Sequence, residues 1–399
     1  MNNAEIVDLT HRNLVDIYGC LPIALARGQG SWLEDADGNR YLDFFCGLAV
    51  TNLGHSHPRL VRAVREQAER LMHVSNIFHT EPTARLAAYL ASRFGDGRVF
   101  FGNSGAEANE AAIKLARRWG HKDGGGRYEI VATLGSFHGR TLATLSATGQ
   151  EKYHQGFQPL VPGFRMAPFD DLAALERSVG DNTVAVMIEP IQGEGGVVVP
   201  QADYLKRVRE FCDRSHLLMI LDEIQVGVGR TGRFFGYEHT GVKPDIVTLA
   251  KALGGGLPLG AMIARSDVAA SLTPGSHGTT FGGNPVSCAA GLAMVEAIDE
   301  ERVLENVARV GGAMLDRLRE IAKTCERITE VRGLGMIIGV VLKHDARPVV
   351  DACLKERLLV NGTAGNVLRL LPPLNLSRAD AERGLAIVER ALRTAPVPS

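Results

Sequence analysis

The sequence predicts an α/β protein: a large domain with a mostly parallel sheet covered by helices, and a smaller α+β domain built from both chain ends. Three observations carry that prediction. Short segments rich in Val, Ile, Leu and Phe recur through the middle of the chain, uniformly apolar rather than alternating, as strands buried on both faces are. Each is followed by a stretch with helical spacing, the alternation that builds βαβ units. Glycine is in surplus, at 45 of 399 residues against a usual share of about 7%.

The elements follow in order. In the first segment, residues 1–53, the polar turn Glu34-Asp35-Ala36-Asp37-Gly38-Asn39 lies between Trp32-Leu33 and Tyr41-Leu42 and reads as a hairpin. This segment is expected to join the small domain. Residues 54–284 form the expected large domain. Its strand candidates are Arg98–Phe101, Glu129–Leu134, Thr183–Ile188, Leu217–Asp222 and Asp245–Ala250, with helices at Gly105–Trp119 and Ala202–Arg214 between them. From Pro285 a long helical pattern leads into short mixed elements and Pro372-Pro373, so 285–399 is read as the C-terminal small domain. No internal repeat is visible.

Composition narrows the function. With 44 Lys and Arg against 45 Asp and Glu, the formal net charge is −1, which does not indicate a nucleic-acid footprint. A hydrophobic share of 45% is that of a globular chain rather than a disordered one. The first residues carry Glu5 and Asp8 and no apolar block, so no signal peptide is expected. The uncharged run Ala252–Ala264, interrupted by glycines and a proline, is too short to span a bilayer. No membrane partner is expected. The six cysteines lie far apart with no CxxC pair, so neither a zinc site nor a disulfide framework is expected. Reduced thiols and a cytoplasmic location fit best.

Ligands of open α/β sheets bind at the carboxyl ends of the strands, which directs attention to the residues just after each strand. The first strand is followed by Gly102-Asn103-Ser104-Gly105-Ala106-Glu107-Ala108-Asn109, small residues opening a helix. Free N–H groups and the positive end of the helix dipole there suit a phosphate; the alternative is a plain turn capped by Ser104. Asp222 and Glu223, then Gln225, follow another strand, and Lys251 follows the next. A lysine in a desolvated pocket loses basicity and becomes a candidate imine-forming nucleophile. Asp222 and Lys251 as a structural ion pair is the bland alternative. Taken together, anion cradle, strand-end carboxylate and strand-end lysine match the three needs of pyridoxal 5'-phosphate.

Two decoys stand beside this reading. Gly227-Val228-Gly229-Arg230-Thr231-Gly232 fits the dinucleotide pattern G-x-G-x-x-G, but Arg233-Phe234-Phe235-Gly236-Tyr237 follows instead of a helix, and Lys251 stands where an acid is needed. His55 and His57 lack an evident third ligand, so no metal is expected and a turn is the better reading.

At these residues the chain resembles the class III, fold-type I aminotransferases. The resemblance runs from Gly28-Gln29-Gly30 to Pro372-Pro373-Leu374. Its specific pieces are residues 103–109, Ser136-Phe137-His138-Gly139-Arg140-Thr141, Glu189-Pro190-Ile191-Gln192-Gly193-Glu194-Gly195-Gly196, Leu221-Asp222-Glu223-Ile224-Gln225, Leu249-Ala250-Lys251 and Thr279-Thr280-Phe281-Gly282-Gly283-Asn284-Pro285. The resemblance implies that Lys251 carries the cofactor, that Asp222 faces its ring nitrogen, that Gln225 reaches its ring hydroxyl and that Phe137 stacks on the ring. It also places Ser104, Gly105, Ala106, His138, Glu189, Glu223 and Ile224 at the cofactor. Thr280 is expected to reach the phosphate from a neighbouring subunit, which implies a homodimer with shared active sites.

The substrate side follows from the same resemblance. Arg140, with Thr279 nearby, resembles the grip on the carboxylate of acetylornithine, and Arg369 the grip on the α-carboxylate of 2-oxoglutarate. Glu194 resembles the acid that neutralises Arg369 in the other half-reaction. Tyr18 sits where ornithine-acting members place a substrate-contacting tyrosine. His138, where the ornithine branch tends to carry tryptophan, favours the acetylornithine branch. The implied reaction moves the terminal amine of N2-acetylornithine to 2-oxoglutarate in arginine biosynthesis; ornithine, succinylornithine and 4-aminobutyrate are alternative donors. A cofactor-dependent aminomutase or decarboxylase, or a dinucleotide-binding module, would be the competing classes. Residues 102–291 hold 29 of the 45 glycines, which is read as backbone passing close to a cofactor and a neighbouring subunit.

Overall fold

The computed structural model describes residues 1–123 and 125–396, so Gly124 and the last three residues of the expected C-terminal unit lie outside it. The described strands form three sheets. The largest has seven strands in the order Gly97–Gly102, Gly260–Arg265, Ile246–Leu249, Leu218–Asp222, Thr183–Ile188, Glu129–Thr133 and Phe164–Ala167. All are parallel except Gly260–Arg265, which runs antiparallel to both neighbours. Every residue of Thr183–Ile188, Leu218–Asp222 and Ile246–Leu249 is buried, which explains their mostly apolar sequence. The two strands absent from the sequence reading have physical reasons. Phe164–Ala167 is an edge strand with an exposed Arg165, and Gly260–Arg265 follows three consecutive glycines and a proline that obscure its start.

The smaller sheets use both ends of the chain. Leu25–Gln29, Trp32–Asp35 and Arg40–Asp43 form an antiparallel meander, and Leu358–Leu359 adds to it in parallel. The expected hairpin pairs Trp32 with Leu42 and Leu33 with Tyr41. Its turn is held by Asp35, whose carboxylate accepts hydrogen bonds from the backbone N–H groups of Asp37 and Asn39 at 3.0 and 2.8 Å. The third sheet is antiparallel, in the order Ile328–Leu334, Ile337–Leu342, Val367–Leu370 and Asn361–Thr363.

The run Gly227–Gly232 opens no helix; it is a chain of turns. Its Arg230 is fully buried and donates to the backbone carbonyls of Met336 and Pro372 and to the Asn52 side chain. This loop therefore joins the N-terminal and C-terminal segments, and the dinucleotide reading falls with its missing helix. The two histidines are also accounted for: His55 bonds Asp43 at 2.7 Å and His57 bonds Glu301 at 3.2 Å. Among the described residues, no helix is long and apolar enough to cross a membrane.

One buried carboxylate locks the large sheet. Asp245, 2% exposed, accepts from Arg209 at 2.7 Å, from Arg265 at 2.6 Å and from the Met219 N–H at 2.7 Å. It ties the helix Tyr204–Arg214 to two strands. Asp245→Ala should leave Arg209, among the described residues, with the exposed Asp213 as its remaining acid and remove the carboxylate acceptor of the buried Met219 N–H. We expect a loss of roughly 2–4 kcal/mol, seen as a lower urea midpoint; an unchanged midpoint would contradict this account.

Candidate active site

The carboxyl ends of the parallel strands converge on a cavity of about 460 Å³. Ser104, Gly105, Ala106, Phe137, His138, Arg140, Glu189, Glu194, Asp222, Ile224, Gln225 and Lys251 all line it. Twelve of the residues singled out from sequence are thus brought together, from five separate loops.

The helix Gly105–Lys122 points its N-terminus at the cavity. Ser104 caps it by accepting from the Glu107 N–H at 3.2 Å, and the Ala108 N–H bonds the Ser104 carbonyl. The N–H groups of Gly105 and Ala106 are left without an acceptor among the described residues. Both face a cavity at the positive end of a helix dipole, which is a site for an anion.

Asp222 ends its strand buried, and a buried carboxylate needs donors. It has three: Oδ2 accepts from Asn109 Nδ2 at 2.7 Å and from His138 Nδ1 at 2.8 Å, and Oδ1 accepts from the Ile224 N–H at 3.0 Å. With a charged Asp222, the His138 proton sits on Nδ1, which leaves Nε2 buried and unpartnered among the described residues. Asn109 also donates to the His138 carbonyl at 2.8 Å and accepts from Thr248 Oγ1 at 2.7 Å. Neither Asn109 nor Thr248 received a role from sequence. A fully buried asparagine on an alanine-rich helix face, and a threonine inside an apolar strand, were the available signals.

Lys251 follows Leu249 and Ala250 with φ of +44°, a left-handed conformation that costs a side-chain-bearing residue about 1 kcal/mol or more. Its Nζ makes no hydrogen bond or ion pair with a described residue. Burial lowers its pKa below the ordinary 10.5; Arg369 repels it further, while Glu194, Asp222 and Glu189 oppose the shift. Glu189, accepting from the Phe137 N–H at 3.0 Å, is pushed well up, first by burial and then by Asp222.

Arg369 lies fully buried behind this wall. Its Nη1 donates to Glu194 Oε1 at 2.6 Å and to Gln225 Oε1 at 3.1 Å, and its Nε to Asn361 at 3.2 Å. Gln225 in turn donates to Glu194 at 3.1 Å. Burial would raise the Glu194 carboxyl, but Arg369 and Lys251 outweigh it and hold it at about 2. Nη2 of Arg369 is buried and unpartnered among the described residues.

Several expected residues lie elsewhere. Glu223 faces away from the cavity, because its carboxylate accepts from the N–H groups of Gly236 and Tyr237, both at 2.8 Å; burial raises it to about 8. Gln225 stays at the cavity wall, where it accepts from Arg369 and donates to Glu194. Tyr18 is 81% exposed and outside the cavity lining. Thr280 borders a second cavity of about 270 Å³ with Asn76 and Asn284, and Thr279 sits behind Asn103 at 3.4 Å. Two of the glycines are also crowded from within the chain: a Cβ at Gly105 would meet the Ile224 side chain at 2.8 Å, and one at Gly193 would meet Gln225 Oε1 at 1.8 Å.

Anion cradle, donor-rich carboxylate and unpartnered lysine in one cavity fit pyridoxal phosphate. The class III aminotransferase family matches residues 17–392. The acetylornithine aminotransferase of Methanocaldococcus jannaschii is 48% identical over 378 residues, covering 94% of each chain. That of Caldanaerobacter subterraneus is 47% identical and covers 95% of this chain and 97% of its own. Among solved structures, the ornithine aminotransferase of Toxoplasma gondii superimposes with a TM-score of 0.95 at 34% identity, covering 98% and 95% of the two chains. The acetylornithine aminotransferase of Elizabethkingia anophelis gives 0.88 at 32%, covering 98% and 99%. The chain belongs to the class III aminotransferases and is a pyridoxal-phosphate-dependent transaminase of fold type I.

Asn109→Ala removes a donor from Asp222 and the acceptor of the Thr248 hydroxyl, both buried. The expected cost is about 2 kcal/mol, checked by denaturant unfolding of the cofactor-free protein; a loss below about 0.5 kcal/mol would show that the network does not hold the carboxylate.

Proposed function

We propose that this aminotransferase moves the terminal amino group of N2-acetylornithine to 2-oxoglutarate, giving N-acetylglutamate semialdehyde and glutamate, a step of arginine biosynthesis. The observation that carries the reading is a division of labour between two arginines. Arg140 lines the cavity with no acidic partner among the described residues, while Arg369 is held by Glu194. A donor with one carboxylate needs only the first; a keto acid with two needs both. The names of the relatives support acetylornithine, and the solved ornithine enzymes make ornithine the second reading.

Bound pyridoxal phosphate supplies a ring that draws electrons from the bond to be broken when its nitrogen stays protonated. Asp222 would face that nitrogen, oriented by its three donors. Ser104 and the N–H groups of Gly105 and Ala106 would hold the phosphate, and Phe137 would cover one ring face. His138, Glu189 and Ile224 support this wall, His138 and Ile224 through Asp222 and Glu189 through the Phe137 backbone. Lys251 would bind the cofactor and then move a proton on the substrate carbon, a task for an amine whose basicity burial has reduced. When 2-oxoglutarate arrives, its carboxylate would replace Glu194 on Arg369, and Gln225, bonded to both, would follow.

The working form is proposed to be a cytoplasmic homodimer. Ile77, Phe78 and Phe281 are 83, 67 and 60% exposed, an apolar group beside Thr280 that a second subunit would cover. Thr280, Thr279 and Tyr18 would then act at the partner's site. Light scattering should return twice the chain mass.

The purified protein should be yellow, lose its colour on adding acetylornithine, regain it with 2-oxoglutarate and release glutamate. Bleaching by ornithine alone would replace the donor. Lys251→Ala should retain no borohydride-stable cofactor. In the native apoprotein, cofactor capture needs the neutral amine, so its rate should rise with pH about a midpoint below the ordinary 10.5; a midpoint at or above that value would contradict the desolvated lysine.

A further inference from the structure

Arginines across this molecule are commonly paired with acids: Arg59, Arg209, Arg265 and Arg369 each hold one or two carboxylates. Arg140 is different. Its guanidinium carbon lies 4.1 Å from the centre of the Tyr153 ring and 5.4 Å from that of Phe137, and it has no carboxylate or carbonyl partner among the described residues. The two rings stand 5.8 Å apart at 81°, forming a corner under the cation. A ring face attracts a guanidinium without neutralising it. A carboxylate partner would compete with an incoming substrate; a ring does not.

We infer that Tyr153 is the positioning residue of the substrate-carboxylate grip, a platform that orients Arg140 over the cavity mouth while leaving its charge free. The inference rests on the reading of Arg140 given above. The platform is bolted to the loop that carries the grip. Tyr153 ends the short turn Glu151–Tyr153. On one side of that turn Gln150 Nε2 donates to the carbonyls of Gly135 and Ser136 at 3.3 and 3.1 Å. On the other, His154 Nε2 meets the carbonyls of Leu145 and Thr148 at 2.9 and 2.8 Å. Both anchors tie the turn that carries Tyr153 to the segment 135–148, which also carries Phe137 and Arg140. Lys152 Nζ lies 4.8 Å from the same ring and carries a second positive charge to it. The ligand class this corner selects is an amine donor bearing a carboxylate remote from the reacting amine.

The test is steady-state and half-reaction kinetics of the holoenzyme with acetylornithine and with a simple alkylamine lacking a carboxylate. Tyr153→Leu should raise KM for acetylornithine about tenfold with kcat within about twofold, and leave the alkylamine half-reaction where the native enzyme has it. Tyr153→Phe, which keeps the ring, should recover KM to within about threefold of native. In an Arg140→Ala background, adding Tyr153→Leu should change KM by less than about twofold, since the two act through one contact. A Tyr153→Leu enzyme with native KM, equal damage by Phe and Leu, or parallel loss on both amines overturns the inference. If Arg140→Ala itself leaves KM unchanged, the reading of Arg140 falls, and this inference with it; if Arg140→Ala raises KM while Tyr153→Leu does not, this inference alone falls.

Discussion

A carboxylate at the end of a buried strand needs donors to replace the water it has lost, and the site is arranged around that need at Asp222. The donors come from the helix Gly105–Lys122, from the loop after Glu129–Thr133 and from the chain just beyond Asp222 itself. Meeting the need of one side chain therefore fixes a helix and two strand-end segments relative to one another. The same helix that lends Asn109 to Asp222 turns its free N–H groups toward the cavity one turn earlier. Anion cradle and ring-facing carboxylate are thus set by a single rigid element.

The charges around Lys251 extend this logic. Glu194 is spent on Arg369, Asp222 on its donors, and Glu189 is pushed toward its neutral form by burial and by Asp222. The lysine is left near carboxylates but bonded to none, in a left-handed backbone position and with lowered basicity. No described residue hydrogen-bonds its amine. The Glu194–Arg369–Gln225 cluster is similarly poised, since one guanidinium nitrogen is buried without a partner among the described residues.

The parallel strands were legible in the sequence because burial on both faces leaves no room for polar alternation. Strand-end residues were legible for the same reason: Asp222 and Lys251 interrupt apolar runs where a charge has no structural excuse. Edge strands were not, since Phe164–Ala167 is half solvated and reads as a loop. Side-chain direction was also hidden. Glu223 neighbours Asp222 in sequence, but successive residues point to opposite sides, and its carboxylate ends on the Gly236–Tyr237 backbone. Tyr153 stands 13 residues from Arg140 in a polar stretch without periodicity, so only the folded loop brings ring and cation together.

The fit of Gly193 against Gln225 reaches beyond local packing. With a Cβ at that position lying 1.8 Å from the amide oxygen, any side chain there would disturb the cluster that holds Arg369. The charged half of the cavity is consequently closed to gradual change. The other half is not: Val50 and Leu257 present apolar surface to the same space and touch none of the charged cluster's hydrogen bonds. Resizing those two side chains would change the space for a donor without touching the charged cluster. The pocket is thus partitioned into a charged part whose packing admits no added side chain at Gly193 and an apolar part whose volume can change independently.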